Sequence, residues 1–191
     1  GDNDSAFSLK LFAVDAQGNA VDSSTVSEAG ETSAYYVVRA IDANGNVLAT
    51  QPGGSVSVSF GNLGSTSNSD YSASQTTVTV GEVFSAKAVD DVLADNGEQF
   101  QVSLNGGSYS AAANYEKVDY HSATVTTTIV DETGNDPQEP GDNDSAFSLK
   151  LFAVDAQGNA VDSSTVSEAG ETSAYYVVRA IDANGNVLAT Q

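Results

Sequence analysis

The 191 residues of the chain include only 6 Lys and Arg against 26 Asp and Glu, for a formal net charge of −20, and there is no Cys, Met or Trp. So acidic a surface repels phosphate backbones and anionic lipid headgroups, which excludes nucleic-acid and membrane-surface partners. The missing cysteines exclude disulfides, thiolate zinc and iron–sulfur centres, and no apolar run approaches the ~18 residues of a membrane helix. The composition therefore favours a hard cation, gathered by carboxylates, as the available cross-link.

Residues Gly1–Gln51 recur letter for letter as Gly141–Gln191. Fold maintenance alone does not demand such identity, because cores tolerate volume-conserving exchanges. Recent duplication in a longer tandem array explains it better. The 140-residue offset is too long for a solenoid unit and matches an independent domain. Three segments are expected: a domain over 6–132, an acidic Pro-containing linker over 133–144, and a partial copy of the next repeat over 145–191. Three registers remain open. Either the domain is contiguous, or the identical second copy exchanges strands and completes the sandwich of 52–132 as a split domain, or the register is mixed, with Phe147–Asp155 closing the preceding sandwich and Tyr35–Thr50 opening it. In all three, the expected partners are neighbouring identical repeats of the same chain, which is otherwise monomeric.

Taken in chain order, short alternating runs of Val, Thr, Ser, Tyr and Ala bounded by Gly, Asn and Asp predict strands throughout. They are Phe7–Asp15, Ser33–Ile41, Val47–Thr50, Ser55–Phe60, Gln75–Val80, Val83–Val89, Glu98–Leu104 and Ser122–Val130. Turn chemistry separates them at Gln17-Gly18-Asn19, Asn44-Gly45-Asn46 and Asn105-Gly106-Gly107. Fold class is thus all-β, a two-sheet antiparallel β-sandwich. Alternation points Leu9, Leu11 and Ala13 inward, with Tyr36, Val38, Ala40, Val56, Val58, Phe60, Val78, Val80, Phe100, Val102, Leu104, Val125 and Ile129. The run Thr126-Thr127-Thr128 reads as β-propensity.

Asp90, Asp91, Asp95 and Glu98 fall within nine residues, a clustering that costs like-charge repulsion unless a cation offsets it. The stretch from Val89 to Leu104 has paired aspartates at a strand end, a short acidic loop and a Glu98-Gln99-Phe100-Gln101-Val102-Ser103-Leu104 strand. It resembles the signature of Calx-beta domains. Ser27-Glu28-Ala29-Gly30-Glu31 resembles their opening acidic motif. Ser69-Asp70-Tyr71 is similar to the mid-domain element, and the run from Ala123 to Glu132 to the final strand with its acidic end. The four lie in the family's order across roughly Thr25 to Glu132.

The resemblance implies a calcium-binding sandwich with its ligands at one end: Glu28, Asp70, Asp90, Asp91, Asp95, Glu98, Asp131 and Glu132, with Glu31 as an outlying member. Asp95 stands where the family more often has Glu, and the terminal run Asp131-Glu132-Thr133 replaces a longer aspartate string, so fewer or weaker ions are expected. By the same resemblance the chain is similar to extender regions of large secreted RTX-type bacterial adhesins. Its expected role is then to project a distal binding domain from the cell surface for attachment and biofilm formation.

The linker acids Asp136, Glu139, Asp142 and Asp144, with Asp2 and Asp4 as copies, serve either a solvated spacer or an ion between neighbours; Pro137 and Pro140 stiffen it either way. An enzyme is not expected. His121, the only histidine, sits at a strand start, and no G-x-S-x-G turn exposes a nucleophile. The alternative to a structural repeat is a glycan- or protein-binding module, which would need an exposed aromatic patch around Tyr109, Tyr115 and Tyr120.

Overall fold

A computed structural model describes residues 3–91, 96–121, 123–131, 147–182 and 184–189. Contacts divide the chain into two compact units, Gly1–Asp144 and Ser145–Gln191. Unit 1 is a sandwich of two five-stranded sheets. Its strands are β1 (Asn3–Val14), β2 (Ser24–Ser27), β3 (Ser33–Ile41), β4 (Ser55–Leu63), β5 (Tyr71–Ser72), β6 (Thr77–Thr79), β7 (Val83–Ala88), β8 (Gln99–Leu104), β9 (Tyr115–Tyr120) and β10 (Thr124–Val130). One sheet has the order β5-β7-β3-β1-β9 and the other β2-β10-β8-β4-β6. Strands β1 to β3 of the first copy thus take part in both sheets.

Neighbours are antiparallel except at two edges, where β1 runs parallel to β9 and β10 parallel to β2. His121 donates its N–H to the Leu9 carbonyl at 2.8 Å, directly between β9 and β10. There the chain leaves one sheet for the other, a crossover typical of sandwich corners.

The period-2 pattern holds best in β7, where Phe84, Ala86 and Ala88 are buried and Val83, Ser85 and Lys87 exposed. With Leu9, Leu11, Val26, Tyr36, Val38, Val56, Val58, Phe100, Val102 and Ile129 they form one core. Tyr71 stacks on Phe100 with ring centroids 4.0 Å apart. Three expected core positions, Ala13, Phe60 and Leu104, are only half-buried, and so is Val125. Phe60, Leu104 and Val125 still pack against the core from its margin.

Several expectations are corrected. The segment Val47–Thr50 is no strand; it makes a single bridge, Val47 to Ile41. Strands β2, β5 and β9 carry no clear alternation and are supported by pairing to neighbours distant in sequence. Thr127 is fully buried, its hydroxyl bonded to both Ser24 Oγ (2.6 Å) and the Tyr36 phenol across the two sheets. The exposed aromatic patch that a binding module would need is not formed around Tyr109, and Tyr115 and Tyr120 are half-buried. Tyr109 is buried, donates its phenol to the Gly53 carbonyl at 3.0 Å, and packs edge-on against Phe7, as Tyr115 does. A Cβ on Gly54, at φ +73°, would stand 2.8 Å from the Tyr109 ring, so glycine is required for that ring to seat.

Unit 2 is a two-stranded antiparallel sheet of β11 (Ser148–Val154) and β12 (Tyr175–Ile181). Its register repeats that of β1 and β3: Leu149 faces Ala180 as Leu9 faces Ala40.

Candidate metal centre

Strand polarity decides where the acids lie. The ends of β2, β7 and β10 and the starts of β3, β5 and β8 all fall at one end of the sandwich, as their pairings require. Glu28 follows β2, Asp90 follows β7, Asp131 follows β10, Asp70 precedes β5 and Glu98 precedes β8. Parallel pairing sets Glu28 beside Asp131, with the Glu28 N–H on the Val130 carbonyl at 3.0 Å.

Local sequence seats each group. After Glu28, the turn Ala29-Gly30-Glu31 places Glu31 at φ 46°, and the Glu31 N–H closes on the Glu28 carbonyl at 2.7 Å. Thr32 Oγ1 accepts the Ser27 N–H at 2.7 Å, fastening both sides of the loop. Asp70 is held by Ser67, whose N–H and hydroxyl donate to its two oxygens at 2.6 and 2.7 Å. The spacing Ser67-x-x-Asp70 is that of a side-chain-closed turn, so this support is legible in the sequence. Asn96 accepts the Asp131 N–H at 3.1 Å, and Thr66 Oγ1 accepts the Gln99 N–H at 2.9 Å. Neither Asn96 nor Thr66 carries a motif that marks it.

Four of these carboxylates are buried. Glu28 is 1% exposed, Asp70 5%, Asp131 8% and Glu98 9%. Asp90 and Asp91 are half-buried at the rim. Asp131 Oδ1 is shut away from solvent with no hydrogen-bond partner among the described residues. Burial pushes the Asp70 carboxyl up, but the Ser67 N–H, the Glu98 carboxyl and the Ser67 and Ser69 hydroxyls outweigh it and hold the group below its usual value. Glu31 stands apart: Lys87 pairs with it, and with the Asp90 N–H keeps its carboxyl below the ordinary glutamate range. A cation would have to displace Lys87 to recruit it.

Burying even one ionised carboxylate without compensation costs several kcal/mol, and here four crowd one end of a small domain. An all-oxygen donor set without His or Cys suits a hard, multiply coordinated cation and fits calcium. Among the described residues, no three acidic or His side chains stand close enough together to hold a metal ion as they are. The expected ligands Asp95 and Glu132 lie outside the described residues, as does the acidic linker. His121 is exposed.

No protein-family model matches the chain, and no curated protein does. Among solved structures, the apo-form CBD1 domain of Calx is similar, with 16% identity over 65% of this chain and 97% of that one, and a TM-score of 0.41. CBD12 from CALX1.2 follows, with 17% identity over 63% of this chain and 44% of that one, at a TM-score of 0.40. Domains 4–9 of the surface layer protein SbsC give 13% identity over 94% of this chain and 21% of that one, at a TM-score of 0.32. Likenesses of this size carry no residue's role across.

Proposed function

We propose that this chain is a calcium-stabilised structural repeat, an extender unit of a large secreted bacterial surface adhesin that holds a distal binding domain away from the cell for attachment and biofilm formation. The observation that carries the reading is the convergence of Glu28, Asp70, Glu98 and Asp131, all buried, at one end of the sandwich. Calcium there would be held by these four with Asp90 and Asp91 at the rim, and Asp95 and Glu132 complete the proposed set. Bound Ca²⁺ supplies the positive charge that offsets the buried carboxylates and ties together strand ends of both sheets.

The reading is mechanical rather than catalytic. Identical repeats in series gain reach, whereas a pocket gains nothing by being copied. Neighbouring copies of the same chain are the proposed partners, and extracellular calcium the proposed cofactor. A cation that binds only the folded state adds about 2.7 kcal/mol at a hundredfold excess over Kd, a large share of a domain's stability. In calcium-poor cytosol the repeat would be looser, which suits export before folding; efficient folding under chelation contradicts that step.

The test is a thermal melt in excess EDTA, then in rising CaCl₂, with MgCl₂ as control. A saturable rise in Tm specific to calcium supports the extender reading. An unchanged melt overturns it and leaves the carboxylates as buried charge stabilised by protons and hydroxyls alone.

A further inference from the structure

Glu31, at the carboxylate end of the sandwich, already holds a cation, and that cation is a side chain. Lys87 of β7 pairs with it, and both groups are nearly half exposed. Register sets Lys87 opposite Ser33 at the start of β3 and opposite Ser72 of β5, beside the β2–β3 loop that carries Glu31. The Glu31 carboxylate also accepts the Asp90 N–H. It therefore reaches from the loop after Glu28 to the rim residue that follows β7, and Lys87 closes the same bridge.

The loop does not need Lys87 to place Glu31. In unit 2, Glu171 takes the same left-handed backbone, φ 48° against 46°, and its N–H closes on the Glu168 carbonyl as that of Glu31 closes on Glu28. There β12 has only β11 beside it, and Glu171 is exposed and makes no ion pair among the described residues. Among the described residues these two glutamates are the only non-glycine positions at positive φ, a conformation that glycine adopts at less cost. The backbone thus presents the Glu31 carboxylate from a fixed position, with or without a lysine to receive it. A second observation shows that this end of the sandwich is short of positive charge. Asp131 is 8% exposed, and its Oδ1 has no hydrogen-bond partner among the described residues.

We propose that Lys87 is a tethered competitor for the cation at this end of the sandwich: its ammonium occupies Glu31, withholds that carboxylate from the ligand set and lowers the calcium affinity of the centre, a role that rests on the calcium reading above. Calcium takes roughly six to eight oxygens, and its affinity follows the number of charged ligands that supply them. Glu31 committed to Lys87 supplies none, and a positive charge held beside the rim opposes the approach of another. An ion pair this exposed adds little to the stability of the fold, so its effect falls on ligand choice. Extracellular calcium modules work at Kd values of about 10⁻⁴–10⁻³ M, and a competing lysine keeps a carboxylate-rich centre in that range, empty in the cytosol and filled outside.

The test is a double-substitution cycle, read by calorimetric titration of the full chain with CaCl₂: wild type, Lys87→Gln, Glu31→Gln and the two together. Lys87→Gln is expected to tighten calcium by about tenfold or more, because Glu31 is released to the ion. Glu31→Gln alone is expected to move Kd by less than about threefold, whereas beside Lys87→Gln it removes most of the gain, the non-additivity of groups that act on each other. Lys87→Arg keeps the pair and should bind as wild type does, and melts in EDTA should stay close together for all of these chains. An unchanged or weaker affinity in Lys87→Gln overturns the proposal, Lys87 then being a strap for the loop. A Glu31→Gln effect of equal size in both backgrounds overturns it too, because Lys87 then acts through its charge alone and not through Glu31. Both of those results leave calcium binding intact. Absence of calcium binding in every chain, wild type included, overturns the calcium reading and this proposal with it.

Discussion

The hairpins Phe7–Ile41 and Phe147–Ile181 are the same sequence in two surroundings, and the contrast separates what the residues specify locally from what packing specifies. Much is shared. Asp15 and Asp155 each accept the N–H of the residue four ahead at 2.9 Å, and Arg39 and Arg179 reach the Gly18 and Gly158 carbonyls at 2.7 and 2.6 Å. Even the left-handed turn residue recurs, Glu31 at φ 46° and Glu171 at φ 48°. What differs is everything that needs a distant partner. Ser24–Ser27 is a strand because β10 runs beside it, whereas 164–167 carries no strand. Glu28 is buried beside the end of β10, whereas Glu168 is exposed. The candidate metal centre is thus absent from an identical local sequence and arises only where Pro52–Val130 closes over it.

Paired substitutions break this contrast or sharpen it. The largest effect is expected from Leu9→Ala, which opens a cavity in the core and should cost about 2–5 kcal/mol by denaturant unfolding. Leu149→Ala on the exposed copy should stay within about 0.5 kcal/mol of wild type. Equal effects at the two sites would mean that the two hairpins share one environment. Next comes Glu28→Gln, expected to weaken calcium about tenfold in a calorimetric titration, roughly 1.4 kcal/mol, with Glu168→Gln unchanged.

Smaller again is Tyr36→Phe, which removes the buried phenol from Thr127 and should lower stability by about 1 kcal/mol. Its twin Tyr176→Phe, with only an exposed 3.2 Å contact to Ser164, should leave the melt where it is. The smallest effect tests sameness. The N–H of Asn46 holds the Asp42 carboxyl below 3.8, and the N–H of Asn186 does the same for Asp182. A carboxyl lowered on folding stabilises at pH values above its unfolded value and loses that contribution as pH falls through the folded one. An NMR titration should therefore find both aspartates depressed alike, with the stability they add fading only below about pH 4. Different values in the two copies would show that packing reaches even these loops.

The legible part of the fold is the part carried by strong alternation. Strand β3 matches its predicted bounds at both ends, and Leu9, Leu11, Tyr36, Val38, Phe100 and Val102 are core as expected. Strand β2 is not legible because Ser24-Thr25-Val26-Ser27 has one apolar side chain, and its hydrogen bonds go to a strand a hundred residues away. Thr127 reads as a β-former among threonines, but its burial depends on Tyr36 and Ser24 arriving from strands of the first copy. The sequence leaves Tyr109 and Tyr115 unplaced, because nothing near them along the chain shows that Phe7 and Gly53 would meet them.

For the acids the division is the same. Their resemblance to one family's motifs marks Glu28, Asp70, Asp90, Asp91, Glu98 and Asp131 as one group, and the crowding of acids between Asp90 and Glu98 adds the physical reason, since clustered carboxylates are costly without a cation. The depth of each is not in the motifs. Whether a carboxylate is buried at 1% exposure, as Glu28 is, or open to water, as Glu168 is, depends on strands supplied from far along the chain. Hairpin register, turn geometry and side-chain inventory come from contacts within a few residues, which any copy of the sequence makes for itself. Burial, the second sheet and the gathering of charge need long-range closure, and one of the two identical copies has it while the other does not.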